Sequence, residues 1–287
     1  MSAKPEAHTP RFLAWLYSTR SQQPVLAALC GIEQEVSASV RPGVDHHVAH
    51  TRLEWWREEC ARCAAGNPVH PLTRELRTHL EQFAPGRQAD TSLAGLTGLV
   101  DAATWDLAAA TFERRAELTA YCRRWAVAMV APIGAPGVDW SGLGAALCEL
   151  ELLGRLARDA RVGRLRIPLD ELAQAGVAPD AVAAPPWPQG LSNILRCRHQ
   201  ALRRQLTESV AALSPQAQQS SRGLLVWAAL AWQASLRTER ALPHEAAASV
   251  ASAAAANWRA WRAARAATAG VFRLGPKSPG GASGGQP

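Results

Sequence analysis

The sequence predicts a single all-α domain, and three observations carry that expectation. Alanine and leucine dominate while β-branched residues are sparse, a balance that favours helix over strand. Apolar residues recur at helical spacing between short breaks marked by Gly and Pro. No stretch alternates at period two for long enough to make a strand, and no internal repeat is evident.

Taken in order, Pro24 stands near the start of a helix that runs to about Val40, and Arg-Pro-Gly at 41–43 stops it. A second helix is predicted from Val44 to Ala65, ending at Gly66-Asn67-Pro68, and a third from Pro71 to Phe83, followed by a loop over 84–92. A long helix is expected from Trp105 to Val130, closed by the Gly/Pro cluster at 132–137. The next is expected to run unbroken from Ser141 to about Arg161. Pro168 opens a short helix, and Pro185, Pro186 and Pro188 lead to three final helices near 191–213, 215–240 and 243–269. Residues 1–9 and 271–287 read as polar or Gly/Pro/Ser-rich tails around one helical domain, residues 10–270.

With 287 residues and 48% hydrophobic content, the chain can bury a sizeable core and is not composed like a disordered protein. The N-terminus lacks the apolar stretch of a signal peptide. The longest uncharged apolar run, Leu224 to Leu236, is too short to span a bilayer. The six cysteines have no secreted-domain spacing, and Cys60 and Cys63 read as two small residues on a helix, so reduced thiols and a cytoplasmic location are expected. A net charge of +7 is compatible with anionic phosphates or a membrane surface. Its basic residues are spread over many helices without a recognised motif, so no nucleic-acid partner is expected.

His46, His47 and His50 have helical chelating spacings, but no nearby Asp, Glu or Cys completes a metal site, and none is assigned. The last helix carries Trp258 and Trp261 among Arg259, Arg262 and Arg265. Either the indoles pack in the core, or the helix docks on a protein or on the inner face of a membrane.

Four segments carry more specific information. Arg52-Leu-Glu-Trp-Trp-Arg-Glu-Glu59 fits R-L-x-W-W-R-x-E/A, with Asn67-Pro-Val-His-Pro71 shortly after it. Glu117-Leu-Thr-Ala-Tyr-Cys122 fits E-L-x-x-Y-C. Leu152 to Pro168 contains R-D-A-R-V-G-R-L-R-I-P, and Ala28 to Val36 reads A-L-C-G-I-E-Q-E-V. In order and spacing these segments resemble the squalene/phytoene synthase family. The resemblance implies an isoprenoid-synthase-like helical bundle around a central cavity, with two facing aspartate motifs that hold Mg²⁺ against a prenyl diphosphate.

Carried over by position, those motifs are degenerate. The first, D-D-x-x-D, falls on Ser37, Ala38 and Arg41, and the paired aspartates of the second fall on Arg155 and Asp159. An Arg155–Asp159 ion pair on one helix face is the expected replacement, and Mg²⁺ is not expected unless the chain is active. Glu33 and Glu35, two residues apart, point to different sides of their helix and do not chelate together. Arg155, Arg158, Arg164 and Arg166, with Asp159, are the candidate ligand residues, since guanidinium groups can hold a diphosphate directly. Alternatively they form a solvated basic helix end. Arg52, Trp55, Trp56 and Tyr121 are candidates for the cavity or a partner surface.

Two functions follow. The first is a diverged non-synthase that binds an isoprenoid, a prenyl diphosphate or a protein partner; the resemblance includes such a precedent, an assembly factor of a respiratory complex. The alternative is an active prenyltransferase that joins prenyl diphosphates head to head.

Overall fold

The computed structural model describes residues 5–7, 9–41, 43–83, 93–108, 111–246 and 250–275, with the side chains of 250–252 excepted. The loop expected over 84–92 and most of both expected tails lie outside these residues. Among the described residues every regular element is helical. The helices are α1 (Pro10–Tyr17), α2 (Gln22–Ala38), α3 (His46–Ala64), α4 (Pro71–Phe83), α5 (Gly98–Leu107), α6 (Arg115–Met129), α7 (Ser141–Leu153), α8 (Leu156–Arg161), α9 (Leu169–Gln174), α10 (Gln189–Ala211), α11 (Pro215–Ser220), α12 (Arg222–Ala241) and α13 (Val250–Thr268).

Local chemistry sets several of these ends. Thr9 caps α1 by accepting from the Phe12 amide, with Pro10 in the first turn, where a missing N–H costs nothing. Asp45 caps α3 by accepting from the amides of His47 and Val48. Helix α1 is too short to announce itself by periodicity, and the pattern reading does not pick it out.

The middle of the bundle is α7, whose long buried face includes Leu143, Ala146, Leu147, Leu150 and Leu153. It packs against α6, α10 and α12, while α2 lies against α4, α1 against α12, and α13 against α12. One contiguous apolar core joins them, with Trp227 and Phe112 among its largest fully buried side chains.

Three expected helices are broken. One of them, 215–240, divides at Ser221 (φ −112°, ψ 24°) into α11 and α12. The segment from Trp105 to Val130 divides into α5 and α6, because Phe112 is fully buried there and its carbonyl accepts from the Leu169 amide at 2.8 Å. The segment from Ser141 to Arg161 divides at Gly154 and Arg155, where Arg155 leaves helical geometry (φ −118°, ψ 12°). That turn buries Leu156 and Ala157 and redirects the chain into α8. Packing also continues past the expected boundary at 270. Phe272 is buried, and its amide donates to Gln218 Oε1 at 2.8 Å.

The approach of α6 to α7 depends on Gly144. A Cβ there would stand 2.5 Å from the Ala126 Cβ and 3.2 Å from its Cα, so the two helices would have to separate. Alanine is about 1 kcal/mol better than glycine inside a helix, whereas overpacking costs about 1–3 kcal/mol. Gly144→Ala is therefore expected to lower the melting temperature by several degrees, as thermal unfolding followed by circular dichroism will show; a higher melting temperature would mean that the contact yields.

Candidate functional site

One turn before the degenerate positions Ser37 and Arg155, the structure holds a cation supplied by the chain itself. Arg11 projects from α1 between Glu33 on α2 and Glu151 on α7. Its Nε donates to Glu151 Oε1 at 3.0 Å, Nη1 donates to Glu33 Oε2, and Nη2 donates to Glu33 Oε1 at 3.3 Å. The guanidinium carbon lies 5.4 Å from the ring centroid of Trp125 and 5.3 Å from that of Trp227, within the range of cation–π attraction. Trp125 Nε1 donates to Glu33 Oε1 at 2.7 Å.

The electrostatics follow from these contacts. Burial opposes the charge on Arg11, but the carboxylates of Glu151 and Glu33 outweigh it and keep the guanidinium protonated. Burial likewise pushes the Glu33 carboxyl up. The Arg11 charge, the hydrogen bonds from Arg11 and Trp125, and the more distant Arg155 bring it below its ordinary 4.5. Burial drives the Cys30 thiol up to about 12 although Arg11 pulls against it, so this cysteine is a protonated neighbour and no nucleophile. Arg11, Glu33 and Glu151 keep 19%, 20% and 24% of their side-chain surface exposed, so water reaches the edge of this cluster.

The second motif is also tied up in ion pairs, with a different partner from the one expected. Asp159 does not pair with Arg155; its Oδ2 accepts from Arg166 Nε at 3.1 Å, because the break at Gly154 turns Arg155 out to solvent. Arg166, proposed from sequence as a ligand residue, is 3% exposed and forks onto Asp106 at 2.7 and 3.0 Å. Tyr121 lies beneath it, with its ring centroid 5.9 Å from the Arg166 guanidinium and 5.6 Å from Phe112. Burial and then Asp106 push its hydroxyl well above the usual range. Arg166, Asp159 and Tyr121 are thus parts of the packed interior. Arg164 is half-buried and donates to the Val40 carbonyl at 2.7 Å, fastening the end of α2.

Of the other candidates, Ser37, Arg41, Arg155 and Arg158 are exposed, and among the described residues none of these arginines has a carboxylate within ion-pair distance. Arg52 is exposed. Trp56 is buried, while Trp55 is 40% exposed and rests edge-on against Trp56 and His70. The histidines lie on the surface, with His46 Nε2 and His50 Nε2 3.1 Å apart. Cys60 and Cys63 are buried, and burial raises both thiols to about 12.

Sequence reasoning missed Arg11, Glu151, Trp125 and Trp227. A signal existed for the carboxylates: Glu33 and Glu151 each precede a degenerate position, Ser37 and Arg155, by four residues, one turn along the chain. No local pattern marks Arg11.

The residues present do not fit Mg²⁺. The ion needs several oxygens in near-octahedral geometry, usually carboxylates with phosphates and water. The motif positions offer a hydroxyl, a methyl group, two exposed guanidinium groups and one carboxylate already paired. Glu33 and Glu151, which converge one turn before two of those positions, are bridged by Arg11. Among the described residues, no group of three or more His, Cys, Asp or Glu side chains is arranged to hold a metal ion.

A family model described as squalene/phytoene synthase matches residues 5–262 of this sequence. In fold the chain is similar to a dehydrosqualene synthase crystallised in complex with a ligand, with a TM-score of 0.71, 14% identity and 90% of each chain covered. It is also similar to the squalene synthase HpnC from Alicyclobacillus acidocaldarius, with a TM-score of 0.62, 18% identity, and 79% of this chain and 87% of that one covered. No curated protein matches the sequence.

Removing Arg11 would leave two carboxylates facing each other inside the bundle without their counter-ion. Arg11→Ala is expected to cost about 3 kcal/mol at pH 8, the low end for a broken buried pair, as read by denaturant unfolding. Glu33 is held below its unfolded value of 4.5, so its share of this stability is present above pH 4.5. That share is lost as pH falls through the lower folded-state value, and the two proteins should converge in acid. Equal stability at pH 8 would contradict the assignment.

Proposed function

The chain belongs to the squalene/phytoene synthase family, and from that premise we propose that it is a member that works by binding and not by metal-assisted prenyl coupling. The observation that carries this reading is the Arg11 guanidinium between Glu33 and Glu151. Prenyl coupling of the family's type begins with departure of a diphosphate, and its developing charge has to be neutralised. Here the facing carboxylates are neutralised already, by a cation tethered to the chain. The bound species is a prenyl diphosphate or a protein partner. Arg155 and Arg158 are exposed at the α7–α8 break and suit a diphosphate held without metal. Trp55, with Arg52 beside it on α3, suits a partner.

One observation favours the other reading, an active prenyltransferase: the fold follows a dehydrosqualene synthase over 90% of the chain. A cytoplasmic location is part of our proposal and is supported by six free cysteines. Among the described residues no helix is long and apolar enough to cross a membrane.

Purified protein incubated with farnesyl diphosphate and Mg²⁺ is expected to release no diphosphate above a protein-free blank. If the prenyl diphosphate binds at all, it should bind equally well in EDTA. Arg155→Asp restores one carboxylate of the second motif, yet it should create no synthase activity because Ser37, Ala38 and Arg41 still supply none to the first. Sustained turnover by the unaltered chain, with a coupled hydrocarbon product, would establish the synthase reading instead.

A further inference from the structure

Helix α13 presents two opposed faces. Ala260, Ala263, Ala264 and Ala267 recur at i, i+3, i+4 and i+7, and all four are buried, which lets α13 lie close on α12. Trp258, Trp261, Arg262 and Arg265 repeat the same spacing about half a turn away, and all four are exposed, Trp258 by 57% and Trp261 by 38%. The expectation that the indoles pack in the core therefore fails. They stack on one another with centroids 4.8 Å apart, and the Arg265 guanidinium lies 4.9 Å from the Trp261 ring.

The surroundings continue the same chemistry. A groove of about 480 Å³ runs between α13 and α1, lined among others by Leu16, Tyr17, Trp261, Arg222 and Arg265. Leu16 and Val271 add exposed apolar surface, 47% and 64%. No acidic residue occurs on α13 or in the lining of the groove.

We infer that this face docks the protein on an anionic lipid bilayer. Indoles prefer the headgroup depth, where their rings are apolar and their N–H groups are wet, and arginines beside them reach lipid phosphates. Exposed aromatic and cationic side chains without a single carboxylate complement a negative surface, whereas a mixed-charge protein interface would pair some of them. The inference uses none of the residues of the Arg11 site and stands independently of the binding reading above.

The full-length chain, floated with vesicles, tests this directly. It should bind vesicles of phosphatidylcholine containing roughly a third phosphatidylglycerol and ignore pure phosphatidylcholine, and salt should weaken the binding. Trp258→Ser with Trp261→Ser should abolish flotation while leaving the melting temperature unchanged, since both side chains are exposed. Arg262→Glu with Arg265→Glu should weaken binding more than about tenfold. The inference is overturned if the wild-type chain stays with the buffer, or if the tryptophan variant floats equally well. It is also overturned if the chain proves to be a dimer that the tryptophan variant dissolves, because the face would then join two copies.

Discussion

A positive charge inside a helical bundle has to be answered by negative ones, and the position of Arg11 fixes where they must be. Water would solvate a guanidinium better than any apolar core, so the interior keeps it only with matched acceptors. Glu33 comes from α2, Glu151 from α7, and Arg11 itself from α1, so three helices are registered against one another by a single side chain. The rings of Trp125 and Trp227 flank the guanidinium, and Trp125 also fixes the Glu33 carboxylate through its indole N–H. In a fold shared with prenyl synthases, this places a partly buried ion-pair network between α1, α2 and α7.

The same conversion is repeated nearby. Asp159, the one carboxylate that survives from the family's paired motifs, is engaged by Arg166, which also forks onto Asp106. Both sites follow one physical rule: where a metal would need free carboxylates, the chain supplies guanidinium groups that hydrogen-bond them. Arginine suits this better than lysine because its planar fork meets a carboxylate through two donors at once. Metal-assisted departure of a diphosphate relies on positive charge fixed in place where the negative charge develops. In the binding reading proposed above, the guanidinium groups that meet these carboxylates are spent on the chain's own ion pairs.

How far the sequence exposed this depends on how local each signal is. The helices with long apolar faces, α2, α7 and α12, are legible because their spacing repeats over several turns. The breaks at Gly154 and before Arg115 are not legible, since tertiary packing of Leu156, Ala157 and Phe112 decides them. The loss of the motif aspartates can be read at once from Ser37, Arg41 and Arg155. What replaced them cannot. Arg11 and Glu151 are 140 residues apart, and Arg166 reaches Asp106 across 60, so no window on the sequence contains both partners. The break at Gly154 also explains why the expected Arg155–Asp159 pair is absent: an i, i+4 rule holds only where the helix continues.

In the binding reading proposed above, Glu33 and Glu151 serve Arg11 and hold no metal ion. Manganese is a paramagnetic stand-in for magnesium, and electron paramagnetic resonance counts the bound ions directly. With the wild-type chain and farnesyl thiodiphosphate, an analogue whose diphosphate leaves slowly, the account predicts no Mn²⁺ bound beyond what the analogue binds alone in buffer. Two or more ions held per chain, with the signal of a protein-bound cluster, would contradict it.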